Sequence, residues 1–132
     1  MPEIKGGCLC GAVRYTARAD PALVGVCHCR DCQKLTGSAF GFLVGLPRAA
    51  FEIEGVLKTF TKPADSGRPI VRRPECGSSI VEEPGSRPDL VIINGGTLDD
   101  PTSVTPGIEI YCNRELSWVQ LGGMQRYPGM PV

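Results

Sequence analysis

The sequence predicts a single, mainly β domain, and three observations carry that prediction. Seventeen glycines and twelve prolines punctuate the 132 residues, leaving little room for long helices. Apolar residues recur in short alternating or β-branched runs, and no amphipathic helical period is sustained. The length fits one domain with one hydrophobic core, spanning 1–132, with no linker and no low-complexity tract.

The elements follow in chain order. Strands are expected at GAVRYTAR (11–18), LVGVCHC (23–29) and SAFGFLV (38–44), with a helical turn at RDCQKLTG (30–37) between the last two. FEIEG (51–55) and LKTFT (57–61) follow, then DLVIIN (89–94), IEIYC (108–112) and WVQL (118–121). Turns are read at LPRAA (46–50), KPADSGRP (62–69), EPGSRPD (83–89) and LDDPTSVTPG (98–107), where Gly, Pro and Asp cluster. The end of the chain, from about 125 to 132, is expected to be a loose tail.

Acidic and basic residues balance at 14 each, which argues against a global electrostatic pull toward nucleic acid or an anionic membrane. The best apolar stretch, AFGFLVGL at 39–46, is too short to span a bilayer, so no membrane partner is expected. The opening MPEIKGG has no signal-peptide apolar region, and a cytoplasmic location is expected.

Seven cysteines in such a chain require an explanation. The count is odd and no secretory signal accompanies it, so a disulfide framework fits poorly. Their spacing points to metal instead. Cys8-x-Cys10, Cys27-x-Cys29-x-x-Cys32 and Cys76 form clusters, and only Cys112 stands apart, as a buried cysteine acting as a small hydrophobe would. Alternate side chains of a strand share a face, so an extended CxC presents both thiols on one side. Cys27, Cys29 and Cys32 are therefore expected to converge on one ion, zinc rather than an iron–sulfur cluster, which usually takes four cysteines. Three ligands leave one corner of a tetrahedron to a distant residue, to water or to substrate. His28, between two such thiols, should point to the other face and act as a hydrogen-bonded structural residue rather than a ligand. Cys8 and Cys10 find their candidate partner in RRPECGSSI at 72–80, where Arg73 occupies the place of a second knuckle cysteine and offers no lone pair. Cys8, Cys10 and Cys76 form a second candidate zinc site, completed by water or Cys112, or left empty.

Through GGCLCGAVRY (6–15), CHCRDCQKLTGSAF (27–40), PECGSSI (74–80), GGTLDD (95–100) and ELSW (115–118) the chain resembles the glutathione-dependent formaldehyde-activating enzyme family, which also includes centromere protein V-like proteins. The resemblance implies a mostly-β "β-tent" fold. It implies a structural zinc at Cys8, Cys10 and Cys76 and a catalytic zinc at Cys27, Cys29 and Cys32. It implies a carbon–sulfur lyase that joins glutathione and formaldehyde as S-hydroxymethylglutathione, with a small thiol and a small aldehyde as partners. Two departures stand out: Arg73 replaces the fourth structural cysteine, and Glu109 stands where the family often has histidine.

Arg30, Lys34, Arg72 and Arg73 are candidate partners for the carboxylates of glutathione. Thr97, Asp99 and Asp100 read as a turn with side-chain caps rather than as catalytic groups. The rival functions are a non-catalytic, zinc-stabilised protein-binding module of the same fold and a thiol-based redox or metal-storage protein.

Overall fold

A computed structural model of the chain describes residues 2–61 and 70–131, so the turn read at 62–69 lies outside the described residues. The fold is mainly β, a single small domain, with one short α-helix among the described residues. Among the described residues no helix is long and apolar enough to cross a membrane.

In chain order the strands are β1 (Glu3–Gly7), β2 (Arg14–Arg18), β3 (Leu23–Cys27), β4 (Gly41–Pro47), β5 (Phe51–Glu54) and β6 (Lys58–Thr61). They continue with β7 (Ile70–Arg73), β8 (Val81–Glu83), β9 (Leu90–Asn94), β10 (Ile108–Ile110) and β11 (Gln125–Arg126); helix α1 (Arg30–Thr36) follows β3. The small sheet runs β1-β2-β5 and the large one β11-β10-β3-β4-β9-β8-β7-β6. All pairings are antiparallel except β3 with β10 and β10 with β11.

The small sheet packs on one face of the large one. Val13, Tyr15 and Ala17 alternate with exposed Arg14 and Arg18, and meet Val44, Leu46 and Ile93 from β4 and β9. The opposite face of β4 and β9 presents Leu43 and Ile92 to Cys27, Cys32 and Ile110. Covered on both faces, these two central strands are apolar almost throughout, and each such buried side chain contributes about 1.5–3 kcal/mol. Tyr15 places its hydroxyl 2.7 Å from Thr97 Oγ1 and its ring 5.6 Å from Phe51. Burial pushes its phenol up to about 12.

The structure departs from the sequence expectations in several places, beginning with β1 and β7, strands at positions where none was read. Residues 118–121 form no strand: Val119 N–H donates to Leu116 O at 3.0 Å, a turn that leaves Trp118 exposed. The strand expected at 38–44 begins later, at Gly41, because Ser38 Oγ folds the chain back onto Phe40 O at 2.8 Å. β8, with the sequence VEE, is wholly buried and went unread because two glutamates do not look like core. They are held by partners: Asn94 Nδ2 donates to Glu82 at 2.9 Å, and Glu83 meets Arg48 at 2.6 Å and Arg72 at 2.9 Å. Finally, the segment expected to be loose is tied down over 125–129. β11 pairs with β10, Tyr127 N–H donates to Glu109 O at 2.9 Å, Cys112 N–H to Tyr127 O and Tyr111 N–H to Gly129 O, both at 3.0 Å.

Candidate metal centres

Cys27 is the last residue of β3 and has no exposed surface. His28 N–H donates to Ile110 O at 3.1 Å and so prolongs the parallel pairing past the strand end. Cys29 keeps extended dihedrals and caps α1, its Sγ accepting from Cys32 N–H at 3.3 Å. One helical turn then returns Cys32, 1 % exposed, beside the first two thiols. Buried Gln33 locks this turn, its Nε2 donating to His28 O at 2.8 Å and to Arg114 O at 3.1 Å. Gly37, at φ 65°, ends the helix in the left-handed conformation that glycine tolerates best. Gly41 packs closely on this site, since a Cβ there would sit 3.3 Å from both Cys32 Cβ and Leu43 Cδ2.

The sulfur atoms of Cys27, Cys29 and Cys32 all lie within 4.8 Å of one another. Tetrahedral zinc–thiolate bonds of about 2.3 Å set sulfurs roughly 3.8 Å apart, so the three residues fit that ion after a small contraction. Among the described residues no fourth His, Cys, Asp or Glu joins the group.

A second group brings Cys8, Cys10 and Cys76 within the same 4.8 Å limit. Here the convergence arises differently from the strand alternation read in the sequence. Cys8 and Cys10 sit in a tight turn after β1, closed by Gly11 N–H to Cys8 O and Cys8 N–H to Val13 O, both 3.1 Å, with Gly11 at φ 81°. Val13 N–H donates to Cys8 Sγ at 3.3 Å, and the Cys8 and Cys10 sulfurs lie 3.5 Å apart. Cys76 occupies the turn after β7, where Gly77 N–H reaches Pro74 O at 3.0 Å. Ser78 joins the two turns, its Oγ accepting from Leu9 N–H at 3.0 Å and lying 3.4 Å from Cys76 Sγ. That hydroxyl, with the Ser78 and Cys10 backbone N–H groups, pulls the Cys76 thiol down to about 6. Cys10 and Cys76 are exposed, and only Cys8 is buried.

Arg73 does not face the thiols as a ligand. Its guanidinium donates to Gly77 O at 3.0 Å and to Leu35 O in α1, so it splints the Cys76 turn to the helix of the first site. Cys112 does not complete this second group. It lies with His28, Glu109 and Glu115, its Sγ 3.6 Å from Glu109 O. His28 turns away from the Cys27 group as alternation predicts, fully buried, with Nε2 2.9 Å from Glu109 Oε1. No disulfide joins any of the seven cysteines.

The other residues singled out in the sequence are structural or already engaged. Asp99 pairs with Arg14, with one contact of 2.8 Å. Asp100 accepts from Thr102 N–H at 3.2 Å, and Thr97 Oγ1 donates to Asn94 O at 2.7 Å. Arg72 is held by Glu83. Exposed Arg30 and Lys34 project from α1 beside the first thiol group, Arg30 bonded to Gln33 of the same helix.

Comparison with known proteins was carried by residues 3–114, which match the sequence model of the glutathione-dependent formaldehyde-activating enzyme family. The crystal structure of a Rhodobacter sphaeroides protein superposes with a TM-score of 0.59 at 21% identity, covering 77% of this chain and 91% of that one; the likeness is one of fold. No curated protein matches the chain.

Proposed function

The chain belongs to the glutathione-dependent formaldehyde-activating enzyme family, and from that premise we propose that it is a zinc-dependent carbon–sulfur lyase joining glutathione and formaldehyde. The observation that supports this most is the triplet of buried Cys27 and Cys32 with half-buried Cys29, three thiols within 4.8 Å with no fourth protein ligand among the described residues. Three protein ligands would leave one zinc position open to substrate, as catalysis requires; the second group shares that count, and what favours this one is its mostly buried seat on a strand end and a capped helix. Zinc held there would lower the pKa of a substrate thiol and polarise an aldehyde oxygen.

The protein's own residues position the reactants. Cys27, Cys29 and Cys32 fix one side of the site on a strand end and a capped helix, so little reorganisation accompanies binding. Arg30 and Lys34, exposed on that helix, are the cations available to the carboxylates of glutathione, whereas Arg72 and Arg73 are committed to Glu83 and to backbone carbonyls. In the reaction the glutathione sulfur bonds to the formaldehyde carbon. The carbonyl π pair moves to oxygen, and the proton released by the thiol ends on that oxygen, so no redox partner is consumed.

The test pairs zinc content per chain with adduct formation from glutathione and formaldehyde. A zinc-loaded protein that raises the rate above the spontaneous reaction supports the lyase. A zinc-loaded, folded protein that leaves the rate unchanged overturns it and favours the protein-binding module.

A further inference from the structure

Cys112 lies among side chains of mixed chemistry, apart from both cysteine triplets. One ligand atom from each of His28, Glu109, Cys112 and Glu115 falls within 4.8 Å of the other three. We propose that these four residues form a metal site of their own, on the face of the 27–29 segment that His28 occupies, taking a divalent ion of borderline softness such as zinc.

The donor set is one imidazole, one thiol and two carboxylates, each an established zinc ligand type. Zinc bonds of about 2.0–2.3 Å separate tetrahedral ligand atoms by roughly 3.3–3.8 Å, within easy contraction of the observed cluster.

Two buried atoms point to a missing partner. His28 and Glu109 have no exposed surface, yet His28 Nδ1 and Glu109 Oε2 make no hydrogen bond. Buried polar atoms are almost always bonded, and an orphaned carboxylate oxygen is among the costlier exceptions.

Charge points the same way. Glu109 and Glu115 bring two negative charges, and among the described residues the one cation in contact with them is Arg126, 2.6 Å from Glu115 and 3.9 Å from Glu109. Its side chain is 43% exposed, so it covers the cluster from outside rather than filling it. Two carboxylates therefore face a single guanidinium. A divalent ion cancels the excess and gives Glu109 Oε2 a partner.

The backbone is bent to make the cluster. Tyr111, at φ 55°, is the one non-glycine residue with positive φ among the described residues. A left-handed residue of this kind costs about 1–2 kcal/mol. It caps the short 3-10 turn Cys112–Arg114, which brings the Cys112 thiol back against Glu109.

The test saturates the protein with zinc, removes loosely held ion by gel filtration and counts zinc per chain. Glu109→Gln, Cys112→Ser and Glu115→Gln should each lose about one equivalent relative to wild type. Cys29→Ser should lose a different one, and Cys29→Ser with Cys112→Ser should lose both. In the cobalt-substituted protein, Cys112→Ser should also weaken the thiolate-to-metal charge-transfer band. Glu109→Gln risks misfolding, so the half-buried Cys112 and Glu115 decide, with near-ultraviolet circular dichroism confirming the fold. Folded Cys112→Ser and Glu115→Gln proteins that keep the full wild-type count overturn the site and leave an ion-pair network. The count is read without any activity, so failure of the lyase proposal does not affect it.

Discussion

The two cysteine triplets use the same three ligands in opposite surroundings. Cys27, Cys29 and Cys32 span six residues and are cradled by a strand end and a capped helix, with Cys27 and Cys32 buried and Cys29 half-buried. Cys8 and Cys10 must wait for Cys76, across two turns stapled by Ser78, and two of those three thiols are exposed. In the first group the thiols are positioned by buried hydrogen bonds that exist without a metal. In the second the missing fourth ligand is an arginine that splints one turn to α1. The contrast is between three thiols gathered by local backbone geometry and three gathered by two distant turns that Ser78 and Arg73 hold in place.

The largest expected effect breaks the comparison outright. Cys29→Ser should lose one zinc and reduce adduct formation by at least about 100-fold, beyond what loss of an outer-shell partner causes. Cys10→Ser should lose the zinc of its own group, leave the rate within a few-fold and lower the melting temperature. Equal rate losses in the two variants would erase the distinction between the sites.

A smaller effect probes the hairpin that carries Cys8 and Cys10. The Tyr15 phenol is raised from 10 to about 12 by burial in β2. A raised folded-state pKa gives stability that is complete below pH 10 and lost as pH climbs from 10 to 12, by ~2–3 kcal/mol. Denaturant unfolding at pH 9 and 12 should show that loss in wild type and not in Tyr15→Phe; an equal loss in both would place it elsewhere.

The smallest effect sharpens the comparison at Arg73. Arg73→Ala should destabilise by ~1 kcal/mol, a charge-assisted hydrogen-bond loss discounted for partial exposure. Arg73→Cys should slow zinc removal from the second group by a chelator, roughly tenfold, since four thiolates hold zinc more firmly than three. Unchanged release kinetics would mean that residue 73 does not point toward those thiols.

The first site was legible because its logic is local. Strand alternation aims Cys27 and Cys29 one way and His28 the other, and the two-residue spacer before Cys32 needs only one helical turn. The second site was legible in membership but not in mechanism, since Cys8 and Cys10 converge through a turn whose closure depends on Gly11 and Ser78. The neighbours of Cys112 were not legible at all. Parallel pairing of Ile110 with Cys27 brings together residues some eighty positions apart, and no spacing rule encodes that. Nor does composition announce that Tyr111 adopts a left-handed conformation. β8 was hidden by a rule that holds elsewhere, that glutamates lie outside; Asn94, Arg48 and Arg72 make it fail here.

The parallel pairing of β3 with β10, itself bordered by β11, has a consequence for synthesis. Contacts between segments so distant in sequence form late and slowly. As the chain leaves the ribosome, the thiols at 27–32 emerge long before residues 108–129 arrive to enclose them. The nascent protein therefore passes through an interval in which the sulfurs of its first triplet are uncovered, when capture by metal or damage by oxidants is decided by what the surrounding cell supplies.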